Sequence, residues 1–258
     1  MKFTLDDKTK IDTLVAFFQL IKNCSSTIKI DFHSTHVFMQ GMDKSHVCLF
    51  SSVIQSTWFT SYENEVNTSV VLDTSSLYLI LSRSQEHNIL VFQYIDSTDK
   101  MEIHLLLNNN NTKGEYNRFF ELPVLDVEQD TLGIPTFEYD ADFSLKTKQL
   151  CDLTSQLILF GDILEIICDE NTIDLKSTSE NGNMKVTIPN DDLNEFSITE
   201  GETIELSYSL SYIHKMCLHT KLAKDVYVSL SKNFPIRIRY DLDNHGNIEF
   251  YVAPKMAD

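Results

Sequence analysis

The stretch LPVLDVEQDTLGIPTF, residues 122–137, lies near the middle of a 258-residue chain and divides it in two. Pro123, Gly133 and Pro135 rule out a continuous helix there, because proline fixes φ and removes a backbone donor. Val124, Leu125, Val127, Leu132, Ile134 and Phe137 make the segment too apolar for a free linker. It reads as an extended strap lying over a domain surface, and long structured connections of this kind are often functional.

On either side of the strap the same order of elements recurs: helix, several strands, helix, several strands. In residues 8–22, Ile11, Leu14, Val15, Phe18 and Ile21 recur at helical spacing. Leu145, Leu150, Leu153 and Leu157 do the same for residues 145–157, with Ser144 as the expected cap. Two shorter helices are expected over 73–83 and 209–221. Strands are expected over 27–32, 46–53, 88–94, 102–107, 162–167, 226–230, 236–240 and 248–252, from their β-branched and aromatic content. Asp243-Asn244-His245-Gly246-Asn247 reads as a hairpin loop, since Asn and Gly tolerate positive φ. Near-equal halves with one element order suggest an internal duplication. The expected division is 1–121, a strap over 122–137, and 138–258.

Composition excludes several classes. At 42% hydrophobic and 23% charged residues, a full core can be built. No apolar run has the length of a membrane span, and two aspartates by position seven do not suit a secretory signal. With seven glycines and no Gly-rich phosphate loop, nucleotide binding is disfavoured. Cys24, Cys48, Cys151, Cys168 and Cys217 are scattered and read as reduced core thiols, with no clustered ligands for a metal. No base and third group stand at motif spacing to activate a nucleophile, so neither an enzyme nor a cofactor is expected. The net charge of −17 argues, by itself, against a nucleic-acid face, because DNA is a dense polyanion.

Three stretches reverse that last inference. Gln40-Gly41-Met42-Asp43-Lys44-Ser45-His46-Val47, the strap residues Leu125-Asp126-Val127-Glu128-Gln129 followed by Leu132-Gly133-Ile134-Pro135, and the ending Phe250-Tyr251-Val252-Ala253-Pro254-Lys255 stand in one order along the chain. Together they resemble the proliferating cell nuclear antigen family of DNA sliding clamps. Cys151-Asp152-Leu153 and Glu180-Asn181-Gly182-Asn183 add weaker matches. The resemblance implies an α+β fold of two similar β-rich domains, each with two helices. It also implies three chains closing head to tail into a ring, with the helices lining the hole.

It further implies three sites. Lys8, Lys10, Lys22, Arg83, Lys146, Lys148, Lys215, Lys221 and Lys224 would face duplex DNA, helped by His214 and His219. As residues alone, the same lysines fit ordinary solvated helix faces. Met42, His46, Val47, Leu132, Ile134, Pro235, Tyr251, Ala253 and Pro254 would receive a partner peptide, although they also suit packing of the strap. Tyr116, Arg118 and Phe120 on one edge strand, and Met184, Lys185 and Val186 on another, would join the subunits. The implied partners are further copies of the chain, double-stranded DNA, a DNA polymerase and other replication and repair clients bearing the family's interacting peptide, and a clamp loader. No membrane is implied. The implied location is the nucleus or the replication site of a large DNA virus.

The chain departs from the family where Glu170 takes the place of a commonly modified lysine, where Asp130-Thr131 interrupts the strap motif, and in the run Asn108 to Asn111. The lining is also sparse in cations, with Ser211 and Leu218 at expected basic places and Asp12 and Asp152 diluting the charge. Two rival readings remain open: a non-ring or heteromeric clamp relative, and an acidic binding protein that mimics DNA.

Overall fold

A computed structural model describes residues 1–84, 87–107, 115–127, 130–136 and 138–255. The first half runs β1 (Lys2–Leu5), α1 (Lys8–Cys24), β2 (Thr27–Phe32), β3 (His36–Met42), β4 (Cys48–Gln55), β5 (Ser61–Glu63), β6 (Thr68–Asp73), α2 (Thr74–Leu81), β7 (Ile89–Ile95), β8 (Lys100–Leu106) and β9 (Arg118–Pro123). The second half runs β10 (Ala141–Lys146), α3 (Thr147–Leu157), β11 (Ile163–Cys168), β12 (Thr172–Ser179), β13 (Gly182–Pro189), β14 (Glu195–Ile198), β15 (Ile204–Ser209), α4 (Leu210–Cys217), β16 (Asp225–Leu230), β17 (Ile236–Asp241) and β18 (Gly246–Val252). The two halves therefore repeat one order of strands and helices, with a strand ahead of each first helix that the periodicity did not reveal.

Contacts divide the chain into two compact units. The first comprises Met1–Asp43, Phe50–Leu132 and Leu242–Asn247, the second Lys44–Leu49, Gly133–Asp241 and Ile248–Asp258. In the first, an antiparallel sheet has the order β5-β1-β7-β8-β9, and β6, β2, β3 and β4 are successive neighbours in another. In the second, the orders are β13-β12-β11-β15 and β14-β10-β16-β17-β18. Helices α1 and α2 pack together, as do α3 and α4. Helix α2 also packs on β9, and α3 on β13.

Alternation explains the strands. In β17 the sequence IRIRYD buries Ile236, Ile238 and Tyr240 and turns Arg237, Arg239 and Asp241 outward, the period of two that a pleated strand imposes. In the first unit, the Phe3 ring stacks on Phe92 at 4.7 Å and meets Phe59 at 4.5 Å. In the second, the buried Tyr240 hydroxyl donates to the Met216 carbonyl at 2.8 Å. Each large apolar side chain so buried contributes about 1.5–3 kcal/mol. Helix α1 is capped by Asp7, whose Oδ1 accepts from the Thr9 and Lys10 amides, and α2 by Asp73, which accepts from Ser76.

Several sequence expectations need correction. Helix α3 starts at Thr147, and Ser144 is not its cap. Leu145 and Lys146 end β10, opposite Val226 and Asp225, because a leucine facing the core satisfies helical and strand periods alike. The last helix stops at Cys217; a separate turn, with the Leu222 amide donating to the His219 carbonyl, buries Leu222. Strand β4 begins at Cys48 rather than at residue 46, since His46 has φ 58°, outside the extended region. Leu122 and Pro123 belong to β9, so the strap begins two residues later, at Val124. Glu128, Gln129, Phe137 and the run Asn108 to Asn111 lie outside the described residues.

The hairpin loop is as read. Asp243, Asn244 and Gly246 have φ of 45°, 64° and 148°. A Cβ on Gly246 would sit 2.0 Å from the Val53 carbonyl oxygen. Gly246→Ala therefore meets both a strained φ and a backbone clash, and it should lower unfolding stability by about 2 kcal/mol or more. Denaturant melts of the two proteins check this; unchanged midpoints would refute the assigned loop geometry.

Candidate functional sites

A sheet edge leaves backbone donors and acceptors unspent, and proteins shorten, cover or pair such edges. Here β5 and β14 are short, at three and four residues. The outer side of β6 is met by the strap, whose Leu125 amide donates to the Val71 carbonyl at 2.8 Å. The strap is further held where the Val124 amide donates to Asp99. The edge of β15 is met by the C-terminal tail: Pro254 bridges Tyr208, and the Lys255 amide donates to the Ser207 carbonyl at 2.7 Å. Strands β9 and β13, six and eight residues long, have no such cover among the described residues.

These two strands carry the expected subunit-contact residues. On β9 and just before it, Tyr116 is 74% exposed, Arg118 and Phe120 are half-buried, and Phe119 is 66% exposed with its ring edge-on to His104. Phe119 escaped the sequence reading because alternation places it opposite Phe120, and only the sheet decides which of the two faces out. On β13, Met184 and Val186 turn inward. Lys185 turns outward and sits 2.8 Å from Asp174, holding that carboxyl below its ordinary range together with a hydrogen bond from Thr187. The helices that pack on these strands carry exposed leucines: Leu79 on α2, and Leu159 just after α3.

The basic residues expected to face DNA differ in their surroundings. Several are engaged within their own unit. Lys8 Nζ donates to the Ser84 carbonyl at 2.9 Å and pairs with Asp12 at 3.5 Å. Lys10 Nζ donates to the Trp58 carbonyl at 2.7 Å. Lys22 lies over the Tyr78 ring, Lys146 pairs with Asp225 at 2.7 Å, and Lys215 lies over Tyr212. Arg83, Lys148, Lys221 and Lys224 are exposed. His214 and His219 add little charge near neutral pH, because burial lowers both below the ordinary imidazole value. His214 Nδ1 also hydrogen-bonds the Thr154 hydroxyl.

The expected peptide-binding residues fall in both units. In the first, the buried side chain of Gln40 grips the strap at both backbone polar groups of one residue, Leu132. Its Nε2 donates to the Leu132 carbonyl at 2.9 Å and its Oε1 accepts from the Leu132 amide at 2.7 Å. Gly41 follows because a Cβ there would stand 2.6 Å from the Phe50 ring. Met42 is half-buried and Leu132 is exposed. In the second unit, the Val47 carbonyl accepts from the Ala253 amide at 2.9 Å, which joins the His46–Val47 turn to the tail. Tyr251 is buried, Ile134 and Pro235 are half-buried, and His46 and Pro254 are exposed. The role of Gln40 was not legible beforehand, since a lone glutamine carries no signal of its partner.

Glu170 is itself engaged: its Oε1 accepts from the Gly201 amide at 2.8 Å. Cys24, Cys48, Cys168 and Cys217 are buried free thiols and Cys151 is half-buried. No helix among the described residues is long and apolar enough to cross a membrane. No group of three metal-ligating side chains occurs among the described residues.

Residues 9–131 match the family model described as proliferating cell nuclear antigen, N-terminal domain, and residues 133–255 match its C-terminal domain. A similar curated protein is the proliferating cell nuclear antigen of Chaetomium thermophilum, 26% identical over 251 residues, covering 94% of this chain and 93% of that protein.

The Gln40 grip yields a direct expectation. Gln40→Ala removes both hydrogen bonds at once and should free the strap locally, by about 1–3 kcal/mol. Amide exchange at Leu132 should accelerate while exchange in β7 and β8 stays unchanged; equal protection of Leu132 in both proteins would rule the grip out.

Proposed function

This chain belongs to the proliferating cell nuclear antigen family, and on that premise we propose that it is one subunit of a homotrimeric, ring-shaped DNA sliding clamp. The ring encircles duplex DNA and tethers a replicative polymerase and other replication and repair proteins as a processivity factor. Residues 1–123 and 138–258 act as the two clamp domains and 124–137 as the connecting strap, the expected bounds adjusted for the end of β9. The observation that carries this reading is that the two family matches follow one another in order with one residue between them.

The open edges support ring closure. Pairing β9 of one copy with β13 of the next would use the backbone groups that both leave unspent and would cover Tyr116, Phe119 and Leu159. Such a contact is heterologous, so it makes a closed ring only when its rotation closes. The charge of −17 supports encirclement over adhesion. Lysines on the helices make exchangeable phosphate contacts that read no sequence, while the acidic remainder repels DNA elsewhere. Retention is then topological, and no catalytic residue or cofactor is needed.

Clients dock through a peptide with aliphatic and aromatic side chains on one helical turn, received by Met42, His46, Val47, Leu132, Ile134, Pro235, Tyr251, Ala253 and Pro254. A loader opens the ring, in the nucleus or at a viral replication site. Glu170 offers no amine for ubiquitin-type attachment at its position.

Native mass spectrometry should give about 89 kDa, three times the 29.7 kDa chain. After loading, the protein should stay on circular DNA and leave linear DNA by its ends. Neutralising Lys8, Lys10, Lys146, Lys148 and Lys215 together should impair loading more than neutralising Lys185, Lys232 and Lys255. A monomer at micromolar concentration would favour the non-ring relative instead, and equal loss from both lysine sets would leave total charge as the whole effect.

Tyr251→Ala and Ile134→Ala should each weaken client-peptide binding by about 2 kcal/mol with the trimer intact, as loss of a buried anchor does. Calorimetry that finds both affinities unchanged would remove the groove from the proposal.

A further inference from the structure

In the second unit, one row of side chains crosses four strands on the outer face. Asp142 of β10 lies opposite Ser229 of β16, and Ser229 lies opposite Arg237 of β17. The next strand, β18, carries Glu249 and, two residues on, Tyr251. A spacing of two puts Glu249 and Tyr251 on the same face.

The contacts along this row run in one direction. Tyr251 donates its hydroxyl proton to Glu249 Oε2 at 2.6 Å. Arg237 Nη1 stands 4.0 Å from the other carboxylate oxygen, Oε1. Arg237 is itself fixed from three sides. Its Nε and Nη2 donate to Ser229 Oγ at 3.2 and 2.9 Å, its Nη2 lies 3.7 Å from Asp142, and its guanidinium lies 4.6 Å from the centre of the Tyr139 ring.

Burial gives the arrangement its consequence. Tyr251 is 8% exposed, and the Glu249 side chain only 16%. A carboxylate so far withdrawn from water needs a compensating charge, or it turns outward. If it turns outward, the Tyr251 hydroxyl loses its acceptor. Burial, followed by the Glu249 hydrogen bond, raises the Tyr251 phenol above its ordinary value, while the Arg237 charge acts in the opposite sense.

We propose that Arg237, acting through Glu249, is a positioning residue that fixes the Tyr251 side chain for peptide binding. This rests on the reading of Tyr251 as a wall of the client groove. The planar fork of arginine is what the site uses: one edge takes Ser229, one end faces Glu249, and the guanidinium lies over the Tyr139 ring. Lysine would keep the charge and lose the shape.

The test uses the full chain, with tyrosine labelled with 13C at the ζ carbon. The Tyr251 resonance is assigned by its loss in Tyr251→Phe. Glu249→Gln, Arg237→Ala, Arg237→Lys and the milder Ser229→Ala are compared with the parent. The binding probe is a synthetic peptide carrying one aliphatic and two aromatic residues on one helical turn. Glu249→Gln should shift the Tyr251 resonance, and both Arg237 variants should shift it in the same direction. Ser229→Ala should follow by a smaller step. Peptide affinity should fall by about tenfold in both Arg237 variants, the scale of one hydrogen bond to a charged group. A Tyr251 resonance unmoved by Arg237→Ala overturns the proposal. So does full restoration by lysine, which would make charge rather than placement the cause. If the parent protein does not bind the peptide, the groove reading fails, while the resonances still decide whether Arg237 fixes Tyr251.

Discussion

The structure depends on what becomes of backbone hydrogen-bonding groups at the edges of its antiparallel sheets. An antiparallel strand satisfies only half its donors and acceptors on each side, so every sheet must end in some device. This chain shortens β5 and β14, lays the strap along β6 and the C-terminal tail along β15. It leaves β9 and β13 long and uncovered among the described residues. Both have a helix packed on them, and Phe119 stands out from β9 while Lys185 stands out from β13.

The segments that cover the other edges double as candidate binding walls. The strap is tied to β6 by Leu125 and to β3 through Gln40, and the tail is tied to β15 and to the Val47 carbonyl. Segments held by a few backbone bonds keep a defined path while leaving side chains such as Leu132 and Pro254 available. The same economy appears at Tyr251, which is held through its hydroxyl by a charged row rather than by its ring alone.

Charge works at two ranges. Over long distances, the excess of acidic groups disfavours DNA at the general surface. At short range, several helix lysines are already shared with carbonyls, carboxylates or rings of their own unit. The positive field they project into solvent is weaker than a count of lysines suggests. Two nearby histidines are held toward the neutral form by burial and do not strengthen it.

The sequence by itself determined the local and periodic features. β-Branched and aromatic content marked β17, the Asp-Asn-His-Gly-Asn run marked its hairpin, helical spacing marked α1, and two prolines and a glycine marked the strap. These are legible because each rests on the conformational limits of neighbouring residues. Motifs in register identified the family for the same reason: they are local strings. The tertiary structure alone decided that Leu145 and Lys146 finish a strand, that Phe119 rather than Phe120 faces out, and which lysines are already engaged. It alone joined Gln40 to Leu132 across 92 residues and Arg237 to Glu249 across two strands. Such pairings depend on sheet register and on which neighbour fills the space beside a side chain. Neither quantity is a property of any short stretch of chain.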